Sequence, residues 1–108
     1  MQRIAVIGAG AWGTALATVA RRAGRDVVIH AHEAETAAAI NTEHENKVFL
    51  PGIALDPAIV ATDDLAHAAD SADAIVMVTP AQFLRATLTT LAPAPGTPMI
   101  ICSKGIEL

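Results

Sequence analysis

The chemistry this chain could perform is concentrated at its start. Gly8-Ala9-Gly10-Ala11-Trp12-Gly13 follows the apolar run Ile4-Ala5-Val6-Ile7 directly and leads into Thr14-Ala15-Leu16-Ala17. Three glycines at this spacing, entered from a strand and left through a helix, form the turn that carries a dinucleotide pyrophosphate. Gly8 lets the chain turn as the strand ends, Gly10 has no Cβ to obstruct the phosphates, and Gly13 lets helix and strand pack closely. The phosphates would meet free N–H groups at the positive end of the helix dipole, so no basic side chain is required there.

Two further positions carry polar groups suited to such a ligand. The second apolar run ends in His30-Ala31-His32-Glu33, where an acidic side chain would hold a ribose 2′-hydroxyl and a basic one would accommodate a 2′-phosphate. His32, the first polar group beyond the expected strand tip, is the candidate for the adenosine end. Glu33 is either a ribose ligand or a helix cap, and His30 a core or edge residue. His30 and His32 share a strand face, but no third ligand stands nearby, so no metal site is expected. Lys104, in Ser103-Lys104-Gly105-Ile106-Glu107, could neutralise a phosphate or polarise a carbonyl. It could equally be a solvated surface lysine.

The elements that must position these groups alternate along the chain. A helix is expected from about Trp12 to Ala23, with Leu16, Val19, Ala20 and Ala23 on one face. A strand over Asp26 to about Ala31 and a helix over about Glu33 to Ile40 come next. Residues Asn41 to Pro57 carry charges and the breakers Pro51-Gly52 and Asp56-Pro57, which reads as a loop with room for one helical turn. Ile59-Val60-Ala61 is a short strand, Asp63-Asp64 cap a short helix through Ala69, and Ala74 to Val78 is a buried strand. Ala81 to about Leu91 reads as a helix, and Pro98 to Cys102 as a final buried strand. This alternation predicts an α/β fold of the Rossmann type, a doubly wound parallel sheet with strand order 3-2-1-4-5. Its ligand edge would hold Gly8 to Gly13, Ala31 to Glu33, Thr79 to Gln82 and Ser103 to Gly105.

Composition narrows the partners. The 108 residues carry 7 basic and 11 acidic side chains, net charge −4, and the basic residues are dispersed, which argues against a nucleic-acid surface. No apolar run is long enough to cross a bilayer, and the chain opens on its first strand, so a cytoplasmic protein without membrane association is expected. The single cysteine, Cys102, has no internal partner and is compatible with a reducing compartment.

Four sets of residues carry a resemblance: Gly8 to Ala17; Asn46 with Phe49-Leu50-Pro51-Gly52; Val78-Thr79-Pro80-Ala81-Gln82; and Lys104-Gly105-Ile106-Glu107. Together they resemble the N-terminal domain of bacterial NAD(P)-dependent glycerol-3-phosphate dehydrogenases, with a departure at Ala81, where the family often has Ser. The resemblance implies NADP or NAD as cofactor, contacted by Gly8, Gly10, Ala11, Trp12, Gly13, His32 and Lys104, with Lys104 also touching substrate. It implies that residues 1–108 form a dinucleotide-binding domain truncated before a helical C-terminal domain that holds the catalytic lysine. No catalytic residue is therefore expected here, and the fragment alone should be inactive. The implied reaction interconverts dihydroxyacetone phosphate and sn-glycerol 3-phosphate by hydride transfer, for glycerophospholipid synthesis, in an enzyme expected to be a homodimer through its missing domain. Two other readings fit the glycine turn: another dehydrogenase, of the ketopantoate reductase or nucleotide-sugar dehydrogenase type, and a non-catalytic nucleotide-sensing module.

Overall fold

The computed structural model describes residues 3–47, 50–70, 72–78 and 97–101. Along these the chain forms β1 (Arg3–Ile7), α1 (Ala11–Arg22), β2 (Asp26–His30), α2 (Ala34–Glu43), β3 (Val60–Thr62), α3 (Leu65–Ala69), β4 (Ala74–Met77) and β5 (Met99–Ile101). The five strands make one parallel sheet in the order β3-β2-β1-β4-β5. The order reverses direction beside β1, between β2 and β4, which is the switch point where such sheets open a crevice for ligands. The strand order is the one the sequence predicts.

Register assigns each strand residue to a face. Ile4 and Val6 of β1 pack with Val27 and Ile29 of β2 and Ala74 of β4, joined by Ala17 of α1, Ala37 and Ile40 of α2, and Leu55 and Ile59 from the long loop. Ala5 and Ile7 face the other way and pack with Val28, Ile75, Met77 and Ala68 of α3. Strands covered on both faces read as continuous apolar runs, and that is how β1, β2 and β4 appear in the sequence.

The structure corrects several boundaries. On α1, the buried residues are Gly13, Thr14 and Ala17, with Ala20 partly buried against the core; Val19 is 61% exposed and Ala23 is exposed. The packed stripe is rotated by one residue from the expected one, because Gly13 must lie against the end of β1 and so fixes which side of the helix faces the sheet. α2 continues through Glu43, one turn beyond the expected Ile40, and ends at His44 in the left-handed region (φ 55°), whose N–H donates to the Ile40 carbonyl. Asp64 alone caps α3, its side chain accepting from the His67 N–H. On β5, Met99 packs against the core, but Ile100, expected to be buried, is 53% exposed at the edge of the sheet. The expected helix over 81–91 lies outside the described residues. No described helix is long and apolar enough to cross a membrane.

Candidate dinucleotide site

The glycine turn is built as the sequence spacing requires. β1 ends at Ile7, and Gly8, at φ 124°, adopts a backbone that non-glycine residues rarely reach. Its N–H donates to the His30 carbonyl at 3.1 Å, carrying the β1–β2 ladder one step past the strand. Gly10 is the N-cap of α1 with extended backbone and no side-chain cap, and the first helical hydrogen bond runs from the Thr14 N–H to the Gly10 carbonyl at 2.9 Å. The N–H groups of Ala11, Trp12 and Gly13 therefore have no acceptor inside the helix. The first turn of α1 contains no acidic residue, while Arg21 and Arg22 occupy the last, so the positive end of the helix dipole stays uncompensated.

Two glycines differ in what surrounds them. A Cβ on Gly13 would fall 1.9 Å from the Gly8 carbonyl oxygen, whereas a Cβ on Gly10 would meet no atom within 4 Å. Gly13 is thus required by packing. Gly10 borders open space beside free amides, and only an incoming group gives its missing side chain a purpose. An anionic pyrophosphate fits this donor set.

The remaining expected contacts are distributed along the same edge. Ala11 and Trp12 lie at the start of α1, Trp12 50% exposed. His32 and Glu33 are exposed just past β2. Glu33 occupies the N-cap position of α2, but its side chain makes no capping bond, so the helix start does not engage its carboxylate. His30, the last residue of β2, is half-buried, and burial pushes its imidazole pKa below the ordinary 6.5; a backbone hydrogen bond with Asp63 opposes this, the nearby His32 adds to it, and the Asp63 and Asp64 charges oppose it. Lys104 and Thr79 to Gln82 lie outside the described residues.

Two residues at the site carry roles that the spacing did not announce. Asn46 is fully buried, and its amide Nδ2 donates to the Ala9 carbonyl at 2.6 Å and to Thr14 Oγ1 at 2.9 Å. Thr14, 1% exposed, also donates to Ala9 from Oγ1 at 3.4 Å. In the sequence Asn46 is marked only by the resemblance that it carries together with Phe49-Leu50-Pro51-Gly52.

A parallel 3-2-1-4-5 sheet whose first strand passes through this turn into a helix defines a Rossmann-class dinucleotide-binding domain. A family model described as NAD-dependent glycerol-3-phosphate dehydrogenase N-terminus matches residues 3–108, and the chain belongs to that family. It is 61% identical over 110 residues to a glycerol-3-phosphate dehydrogenase [NAD(P)+] of Paramagnetospirillum magneticum, covering all of this chain and 40% of that protein. It is 59% identical over 108 residues to the protein of the same name from Parvibaculum lavamentivorans, covering 98% of this chain and 32% of that one. Among solved structures, the glycerol-3-phosphate dehydrogenase of Coxiella burnetii superposes with TM-score 0.88 at 28% identity, over 95% of this chain and 32% of the other. The chain thus spans 32–40% of the length of these relatives.

Proposed function

We propose that residues 1–108 are the cofactor-binding domain of an NAD(P)-dependent glycerol-3-phosphate dehydrogenase. The complete enzyme would interconvert dihydroxyacetone phosphate and sn-glycerol 3-phosphate in the cytoplasm and feed glycerophospholipid synthesis. The observation that carries this reading is the family match across residues 3–108, joined to a glycine turn whose open flank lies at Gly10.

In this reading the Gly8–Gly13 turn and the first amides of α1 hold the pyrophosphate. Ala11 and Trp12 border the cofactor, and His32 lies at the adenosine ribose. The nicotinamide ring, when bound, supplies a hydride to the ketone carbon. The resemblance assigns Lys104 to the substrate, where an ammonium would complement the phosphate and the negative charge that develops on the carbonyl oxygen. The balancing proton comes from the helical domain beyond residue 108, which also completes a homodimer. These 108 residues bind and orient; alone they should turn over no substrate.

The test is a spectrophotometric assay of the full-length protein with NADPH and NADH. Oxidation of reduced cofactor that depends on dihydroxyacetone phosphate is expected. Turnover on ketopantoate or a nucleotide sugar in its place, or cofactor binding without turnover on any of these substrates, would overturn the proposal.

A further inference from the structure

We propose that Asn46 is a positioning residue of the cofactor site, fixing the Ala9–Gly10 peptide so that the Gly10 N–H is presented to the pyrophosphate. The proposal rests on the dinucleotide reading above and assigns a role to a residue outside the glycine turn.

The segment that delivers Asn46 is folded onto itself. It leaves α2 through His44, whose carbonyl accepts the Leu55 N–H at 2.8 Å, closing the loop at its base. Inside it, the Leu50 N–H donates to the Asn46 carbonyl at 2.9 Å, and the Glu45 carboxylate accepts the Gly52 N–H at 2.9 Å. Leu55 is buried in the same core as Ala9. The loop is thereby anchored at both ends, and its one fully buried polar side chain among the described residues is Asn46.

Asn46 spends its amide on the turn. Nδ2 lies 2.6 Å from the Ala9 carbonyl oxygen and 2.9 Å from Thr14 Oγ1, so one side chain holds the peptide entering Gly10 and the first full turn of α1 together. No described peptide bond is cis, and in a trans peptide the C=O and the following N–H point in opposite directions. Holding the Ala9 carbonyl toward the buried loop therefore turns the Gly10 N–H away from it. Gly10 has no side chain to restrict its backbone, so a peptide plane beside it needs an external anchor to stay in one orientation. A donor already aimed at the ligand avoids the entropy of ordering it on binding.

The experiment compares Asn46→Ala with the unaltered full-length protein for three quantities: affinity for NAD(P)H by fluorescence titration, affinity for adenosine by competition, and melting temperature. Adenosine is part of either dinucleotide but carries no pyrophosphate. The expected result is dinucleotide affinity weakened by about tenfold or more, the scale of one lost charge-assisted hydrogen bond, with adenosine affinity within about twofold of the unaltered protein. Where Asn46→Ala does not fold, Asn46→Ser is used; its hydroxyl leaves a polar atom in the site but is too short to reach Ala9, and the same split is expected. Equal weakening of both ligands would mean that Asn46 supports the fold alone, and unchanged dinucleotide affinity would remove it from the site; either overturns the proposal. Failure of the unaltered protein to bind NAD(P)H would instead overturn the dinucleotide reading itself.

Discussion

Gly13 and Gly8 approach so closely that a single added carbon on Gly13 would sit 1.9 Å from the Gly8 carbonyl oxygen. That contact seats α1 against the end of β1 and sets the rotation of the helix. Gly13→Ala must push strand and helix apart, and overpacking of this kind costs about 1–3 kcal/mol. Urea denaturation should show the loss. A midpoint equal to that of the unaltered protein would mean that the turn has room the geometry does not show.

Gly10 makes the opposite prediction. Nothing lies within 4 Å of its absent Cβ and its backbone is extended, so Gly10→Val should fold, losing only the small N-cap advantage of glycine, and yet lose NAD(P)H binding by more than about tenfold, or roughly 1.4 kcal/mol. Isothermal calorimetry on the two glycine variants separates a packing glycine from a ligand glycine. Retained affinity in Gly10→Val would place the phosphates elsewhere.

The glycine turn, the strand order and the element sequence were legible from residue types because each is local: an apolar run, a breaker, another apolar run. What the sequence concealed were contacts between distant segments. The stripe Leu16, Val19, Ala20 and Ala23 has a sound helical period, but the packed face is set by the Gly13 contact with Gly8, which periodicity cannot register. Asn46 reaches Ala9 and Thr14 across more than thirty positions, and a lone asparagine in a loop gives no sign of its partners. The extra turn of α2 was hidden because Asn41-Thr42 resembles a loop start. There the Thr42 hydroxyl donates to the Ala38 carbonyl within the helix, while Asn41 turns outward to a strand.

That asparagine makes a third prediction. The Asn41 side chain donates to the Ala61 carbonyl and accepts from the Ala61 N–H, both at 2.8 Å, occupying the outer edge of β3 as a neighbouring strand would. β3 ends the sheet, and unpaired edge groups are costly when shielded and invite intermolecular pairing when exposed. Asn41→Ala should lower stability by about 1–3 kcal/mol and increase aggregation in a light-scattering time course. Unchanged stability would show that water replaces both bonds at no cost.

His32 tests cofactor choice. It is exposed at the end of β2, where charge selects between a ribose hydroxyl and a 2′-phosphate. His32→Arg should shift the ratio of NADPH to NADH affinity upward, and His32→Glu should shift it downward, each by about tenfold or more, the scale of one charge-assisted contact. The folded state should not change, since the His32 side chain is not part of the core. If both variants keep the original ratio, the ribose binds away from this residue.

His30 supplies the pH dependence. Its pKa is lowered from 6.5, chiefly by burial, with the Asp63 backbone bond and the Asp63 and Asp64 charges acting against that and His32 adding to it. Since the unfolded chain binds its proton more readily, the folded state holds its full advantage above the ordinary histidine pKa. That advantage is lost as pH falls from there through the lowered value. Unfolding midpoints measured between about pH 8 and pH 5 should therefore decline on acidification below the ordinary histidine range. The informative quantity is the difference between the protein and His30→Gln, which cannot take up the proton. The variant should show a shallower decline, and the two curves should run parallel above the ordinary histidine pKa. Parallel curves over the whole range would mean that the half-buried imidazole accepts its proton in the folded state as easily as in the unfolded one.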